Sequence, residues 1–224
     1  MAGKKKKRSG LSGSALLADD RRHILSADSN FFIREAYKTL RTNTMFALAG
    51  QEGCKIILVT SSLQGEGKSI SALNLAISFA EAENRVLLID CDLRRPKLAR
   101  LLRKSSRVGL SNLLLDPSLL GEVLIPGGVD RLDVILSGDI PPNPSELLGS
   151  ARMESLLAHL RKRYDYVILD TPPVNMVTDA VVLASKSDGV LFVGGAARIR
   201  AGEAPRLHPR RRQRRRHALR LRQV

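Results

Sequence analysis

The apolar positions of this chain fall into two alternating textures. One is the short continuous run: Lys55–Ser62 (KIILVTSS), Arg85–Cys91 (RVLLIDC), Arg131–Leu136, Tyr166–Leu169 and Gly189–Val193. Runs of this length, rich in Val and Ile, predict strands buried on both faces, as in a parallel sheet. The other is helical periodicity. Phe31–Ala49 carries apolar groups at Phe32, Ala36, Leu40 and Met45. Ser69–Glu83 and Val177–Ser187 read as helices, as does a segment starting at Pro144–Ser145 and running to Arg163. Residues 96–115 read as two helical pieces broken near Ser105–Gly109. Strands alternating with helices predict an α/β fold, a mainly parallel sheet with right-handed crossovers and flanking helices.

Outside this pattern lie the two ends. Residues 1–30 read as a disordered basic arm, and 31–194 as one domain. Residues 195–224 hold eleven arginines, one acid (Glu203) and no recognisable strand. That tail reads as a frameshifted, disordered stretch leaving the domain incomplete at its C-terminus, with a natural arginine-rich tail as the alternative.

The 224 residues carry a net charge of +15, which invites a nucleic-acid reading. The charge belongs to the ends, however: Lys4–Arg8 (KKKKR) and the arginine tail account for it, and residues 9–194 hold equal numbers of basic and acidic residues. With 4% aromatics and no Trp, no stacking surface is expected and no specific nucleic acid is implied. Cys54 and Cys91 sit in apolar surroundings and read as buried thiols of a reducing compartment. No apolar run is long enough for a membrane span, which suggests a cytoplasmic protein.

Three strand ends carry the chemistry. Ser62–Ser69 (SLQGEGKS) lies between a predicted strand and a predicted helix. It matches the P-loop G-x-x-x-x-G-K-[ST] except that Ser62 replaces the first glycine. Such a loop turns backbone N–H groups, and the positive end of the following helix, toward a phosphate chain. Gln64, Gly65, Glu66, Gly67, Lys68, Ser69 and Ile70 are therefore candidates to bind ATP. Lys68 would neutralise β- and γ-phosphate charge, and the Ser69 hydroxyl would ligate Mg²⁺. Asp90 and Asp92 close the second strand; two residues apart on a strand, they should point to the same side. Two close carboxylates call for a cation, so Asp90 reads as a base toward an attacking hydroxyl and Asp92 as a metal ligand. Asp170 ends the run YVILD as a Walker-B acid does, a third candidate for Mg²⁺.

The P-loop, IDCDLRRP (Ile89–Pro96) and ILDTPP (Ile168–Pro173), in this order, resemble the bacterial tyrosine kinases of capsule and exopolysaccharide synthesis. EAYKTLRTN (Glu35–Asn43) is similar to that family's E-x-x-R-x-x-R helix, and SGDIPPNPSELL (Ser137–Leu148) to its Pro-rich loop. The resemblance covers about residues 30–194. It implies a P-loop NTPase fold of the MinD/ParA-like superfamily and ATP-dependent phosphorylation of protein tyrosines, including autophosphorylation. It also implies catalytic Lys68, Asp90 and Asp92, metal-site Ser69, Asp92 and Asp170, and ring-like self-association through Glu35, Lys38 and Arg41. The implied partner is a membrane-embedded activator, a polysaccharide co-polymerase, which would hold the kinase at the inner face of the plasma membrane. Two departures stand out: Ile70 replaces a second hydroxyl residue, and Tyr37, Tyr164 and Tyr166 are the only tyrosines, none in a C-terminal cluster. Three other readings compete: a ParA/MinD-like partitioning or positioning ATPase, a truncated inactive kinase, and a nucleic-acid binder acting through the arginine tail.

Overall fold

A computed structural model describes residues 21–194 and the backbone of 218–222. It contains a seven-stranded sheet in the order β3-β4-β2-β5-β1-β6-β7. The strands are β1 (Lys55–Ser61), β2 (Val86–Asp90), β3 (Leu124–Pro126), β4 (Leu132–Ile135), β5 (Tyr166–Asp170), β6 (Gly189–Gly194) and β7 (Ala218–Arg222). All neighbours pair in parallel except β3, which runs antiparallel to β4 at one edge.

The helices are α1 (Phe31–Ala47), α2 (Lys68–Ala80), α3 (Leu98–Leu102), α4 (Leu110–Leu115), α5 (Leu120–Val123), α6 (Pro144–Gly149), α7 (Ala151–Leu160) and α8 (Asp179–Ala184). The strand period of two sorts the core into two layers. Ile56 and Leu58, with Leu87, Ile89, Val167 and Leu169, face a cluster built from α4, α6, α7 and α8. Ile57, Val59, Leu88, Ile168 and Leu191 face the opposite cluster, built on α1, α2 and α3. The central strands are apolar on both faces because helices cover both faces. On the α2 side the ring of Phe79 stacks on Tyr166 at 3.9 Å.

The chain order places the second acid beside the third. In the β2–β5 register Asp90 stands opposite Asp170, and in the β1–β5 register Asp170 stands opposite Val59, three residues before the P-loop begins. The carboxyl ends of β1, β2 and β5 therefore converge on one place, where ligands bind in open α/β sheets.

Four expectations are corrected. Residues Arg21–Asn30 are not a disordered arm: Leu25 is buried, its N–H donates to Asn74 Oδ1 at 2.9 Å, and Asn74 Nδ2 donates to the His23 carbonyl at 2.7 Å. Residues 1–20 lie outside the described residues. The arginine-rich tail is not strandless: Ala218–Arg222 forms β7, parallel to β6, so the outer edge of β6 is paired rather than left open. The remainder of 195–224 lies outside the described residues. On α1, Phe32 and Met45 do not pack inward; Leu40 and Thr44 are its buried positions. Finally, the strand run of β2 ends at Asp90, so the same-side rule does not extend to Asp92.

Candidate functional site

The loop after β1 is shaped by two left-handed glycines, Gly65 and Gly67, each with φ of 85°. That region is open to glycine and strained for side-chain-bearing residues. Between them Glu66 folds back, its Oε2 accepting from the Leu63 N–H at 2.8 Å. The loop thus braces itself and delivers Lys68 as the first residue of α2. The N-cap residue of α2 is Gly67, which has no side chain to cap it, and this leaves the first N–H groups and the helix dipole for an anion.

Lys68 lies at the centre of the site. Its Nζ is 2.9 Å from Asp92 Oδ2, 3.3 Å from Ser69 Oγ and 3.5 Å from Asp170 Oδ1. Burial by itself would lower the pKa of this ammonium, but the charges of Asp170 and Asp92 outweigh it and hold the pKa above its ordinary value. Burial raises Asp170, against the pull of Lys68. Asp170 Oδ2 is buried and, among the described residues, has no hydrogen-bond partner. An orphaned carboxylate oxygen beside a serine hydroxyl, below an uncapped helix end, is the donor set that Mg²⁺ and phosphate would complete. Among the described residues no cluster of three or more His, Cys, Asp or Glu side chains could hold a metal by itself.

Asp90 and Asp92 part company. Asp90 is fully buried, and its oxygens accept from the N–H groups of Asp92 and Leu98, each at 3.2 Å. Burial, and then the charge of Asp170, push its pKa well above the carboxylate range. Asp92 reaches the cavity: Oδ2 takes Lys68, and Oδ1 accepts from the Arg95 N–H at 3.1 Å. Asp90 thus ties down the loop that carries Asp92, and of the two acids only Asp92 lines the cavity.

The cavity has a volume of about 350 Å³. Gln64, Gly65, Gly67, Lys68, Ser69 and Ile70 form its floor. One wall is the loop after Asp92, with Arg94, Arg95 and Lys97; the other is Pro172, Pro173, Met176 and Val177. The second wall is fixed to the first strand, since Thr171 Oγ1 donates to the Val59 carbonyl and Thr60 Oγ1 to the Pro172 carbonyl, both at 2.9 Å.

Several side chains that organise the site escaped sequence reasoning. Arg94 donates to both oxygens of Asp179, from Nε at 2.9 Å and Nη2 at 3.2 Å. Ser145, from the Pro-rich loop, bonds the same carboxylate. Arg95 Nη1 donates to Gln64 Oε1 at 2.8 Å, joining the two loops across the cavity. These partners lie 31 to 85 residues apart in the chain, and no spacing reveals such pairs.

The helix expected to mediate self-association stands apart from this site. Lys38 pairs with Glu35 at 2.7 Å on the surface of α1. Arg41 turns inward, Nη1 donating to the Ser78 carbonyl on α2 at 2.6 Å.

Comparisons with known proteins bear on the fold and the family. The AAA domain family matches residues 54–196. Tyrosine-protein kinase YwqD of Bacillus subtilis is 43% identical over 159 residues, covering 71% of this chain and 67% of its own length. Tyrosine-protein kinase CpsD of Streptococcus agalactiae is 38% identical over 167 residues, 74% of this chain and 72% of its own. The solved kinase domain of Escherichia coli tyrosine kinase ETK superposes with a TM-score of 0.71 at 37% identity, over 75% of this chain and 66% of that one. The cell-division ATPase MinD of Pyrococcus furiosus, at 21% identity and a TM-score of 0.54 over 63% of this chain and 60% of its own, shares the fold alone. With its P-loop, its converging acids and relatives at this identity, the chain belongs to the bacterial tyrosine-protein kinases, built on the P-loop NTPase fold.

Proposed function

We propose that this kinase transfers the γ-phosphoryl group of ATP to tyrosine hydroxyls in the control of capsular or exopolysaccharide synthesis. The observation that carries the reading is the buried contact of Lys68 with both Asp92 and Asp170 at the start of an uncapped helix. The backbone N–H groups from Gly65 to Ser69 and the Lys68 ammonium bind and orient the phosphates. Ser69 and Asp170, with Asp92 beside them, would hold Mg²⁺, which when bound neutralises charge on the phosphate oxygens. Ile70 lines the floor without adding a hydroxyl donor.

The resemblance and the strand-end spacing assign the base to Asp90. Its burial and its two backbone hydrogen bonds favour a positioning role instead, and we assign the acceptor's proton to Asp92, which faces the cavity. Most of the acceleration in such a site comes from positioning and electrostatics. Among the described residues no helix is long and apolar enough to cross a membrane. This fits a kinase held at the inner face of the plasma membrane by a membrane-embedded partner. Self-association through the α1 surface around Glu35 and Lys38 belongs to the same reading.

The test is incubation of the full chain with γ-labelled ATP and Mg²⁺, with and without Lys68→Met, followed by phosphotyrosine detection on added protein substrates. Label on tyrosine that vanishes in the variant supports the proposal. ATP hydrolysis without phosphotyrosine, with a membrane activator segment supplied, would overturn it in favour of a positioning-type ATPase.

A further inference from the structure

We infer that the cavity selects its protein acceptor by charge: the tyrosine it takes lies in an acidic segment of a partner protein, bound between Arg95 and Lys97 on one side and the Met176–Val177 wall on the other. The inference rests on the kinase reading above and adds the class of substrate.

Charge balance around the opening carries the argument. Four cations line the cavity: Lys68, Arg94, Arg95 and Lys97. Two of them are matched by carboxylates, Lys68 by Asp92 and Asp170, and Arg94 by Asp179. Among the described residues neither Arg95 nor Lys97 has a carboxylate within ion-pair distance; Arg95 is exposed, and its guanidinium meets only the neutral Gln64 oxygen. The one lining acid, Asp92, is taken up by Lys68 and the Arg95 N–H. The entrance is therefore net positive on the side that hangs directly from the proposed base. Facing it is an apolar wall with Met176 56% exposed, between Val177 and the proline turn. An aromatic ring packs against a flexible thioether and prolines, and flanking carboxylates meet the two unmatched cations. A phenol placed so lies between Asp92 and the P-loop.

The chain's own tyrosines support an outside acceptor. Tyr164 is buried and donates to Asp133 Oδ2 at 2.6 Å, Tyr166 is stacked on Phe79, and Tyr37 is packed on the α1–α2 core.

The experiment uses the full chain and three short tyrosine peptides flanked by Glu, Ala or Lys. Binding is read by fluorescence anisotropy in the presence of a non-hydrolysable ATP analogue, and transfer is read separately with ATP and Mg²⁺. The Glu-flanked peptide is expected to bind about fivefold or more tighter than the Ala-flanked one, the scale of partly exposed ion pairs, with the gap narrowing in high salt. Lys97→Ala should weaken the Glu-flanked peptide about threefold, and Arg95→Glu should shift the preference to the Lys-flanked peptide. Equal binding of the three peptides, or substitutions that raise the KM for ATP and leave the peptide preference unchanged, would overturn the inference. In the latter case both cations serve the nucleotide. Selective binding with no phosphotyrosine on any peptide would retain the acidic-segment site and reject the kinase reading, so the two failures are distinguishable.

Discussion

Arg94 holds Asp179 through two parallel hydrogen bonds, Nε to Oδ2 at 2.9 Å and Nη2 to Oδ1 at 3.2 Å, across 85 residues of chain. The carboxylate is wholly inaccessible, while the guanidinium side chain is 40% exposed. Ser145 bonds the same carboxylate and also accepts from Arg94 Nη2 at 3.2 Å. Three segments therefore meet: the loop carrying Asp92, the Pro-rich loop and the start of α8. Arg94→Ala removes the cation and leaves a buried charge with only neutral partners. A fully buried pair would cost about 3–5 kcal/mol; with the exposed guanidinium screened by solvent, about 2 kcal/mol is expected. Urea unfolding measures this. Because Asp92 lies two residues away, kcat should fall further than the stability loss explains at a temperature where the variant is folded, and Arg94→Lys should recover only part, having no planar fork.

Asp90 and Asp92 should separate experimentally. Asp92→Asn removes the acid that faces the cavity and should lower transfer by about 10²–10⁴-fold, the usual span for a positioned base, with the fold retained. Asp90 acts on stability, and its sign is fixed by its environment. Burial and the charge of Asp170 raise its folded-state pKa above the unfolded value. The folded protein therefore keeps this proton to higher pH than the unfolded chain. The associated stability is complete below the ordinary carboxylate range and is lost as pH rises toward the folded-state pKa. Urea midpoints measured from pH 5 to 8 should decline. Asp90→Asn cannot titrate and should flatten that decline. At pH 5 it should be less stable than the parent by about 1–3 kcal/mol, since an amide cannot accept from both backbone donors, and the difference should shrink toward pH 8.

What the sequence made legible follows from where pattern is physical. The five inner strands were legible as short apolar runs because helices cover both faces, and the P-loop is legible because glycine, lysine and serine would each answer a different need of a phosphate chain. Pattern failed where contacts are long-range or made by backbone. β3 is three residues long, contains Pro126 and sits at an edge, so it has no periodicity to find. β7 was hidden inside an arginine-rich stretch. Asp90 and Asp92 were placed on one side by the strand rule, which lapses where β2 ends. Phe32 looked like part of the inner stripe of α1 but is 79% exposed; the inward side of that helix is built from the buried Leu40 and Thr44, with Tyr37 packed partly against the core.

One buried side chain makes two of the hydrogen bonds that order Arg21–Asn30. Asn74, buried in α2, accepts from the Leu25 N–H and donates to the His23 carbonyl. Arg21 adds a bond from Nε to the Arg100 carbonyl at 3.1 Å. Asn74→Ala leaves both backbone groups without partners, and a cost of about 1–3 kcal/mol follows from the buried donor alone. The Leu25 amide should lose hydrogen-exchange protection, and proteolysis should start within 21–30 while the sheet amides stay protected. Unchanged protection at Leu25 would show that apolar packing of its side chain is sufficient.

The α1 surface offers a test of assembly in which folding and association can be told apart. Among the described residues Glu35 and Lys38 pair with each other alone, on the surface of α1, so such a pair contributes about 0.2–0.5 kcal/mol or less to the monomer. Arg41 is different, since its guanidinium satisfies the Ser78 carbonyl at a part-buried position. The double substitution Glu35→Ala with Lys38→Ala should leave the melting temperature within a degree or two, as expected for a loss of this size. If this face joins copies, the same variant should run as a monomer in light scattering where the parent chain assembles. Arg41→Ala should lower the melting temperature as well, because it strips a partner from α2. Assembly that survives the double substitution would place the interface elsewhere on the molecule and leave the Glu35–Lys38 pair as a helix-stabilising contact alone.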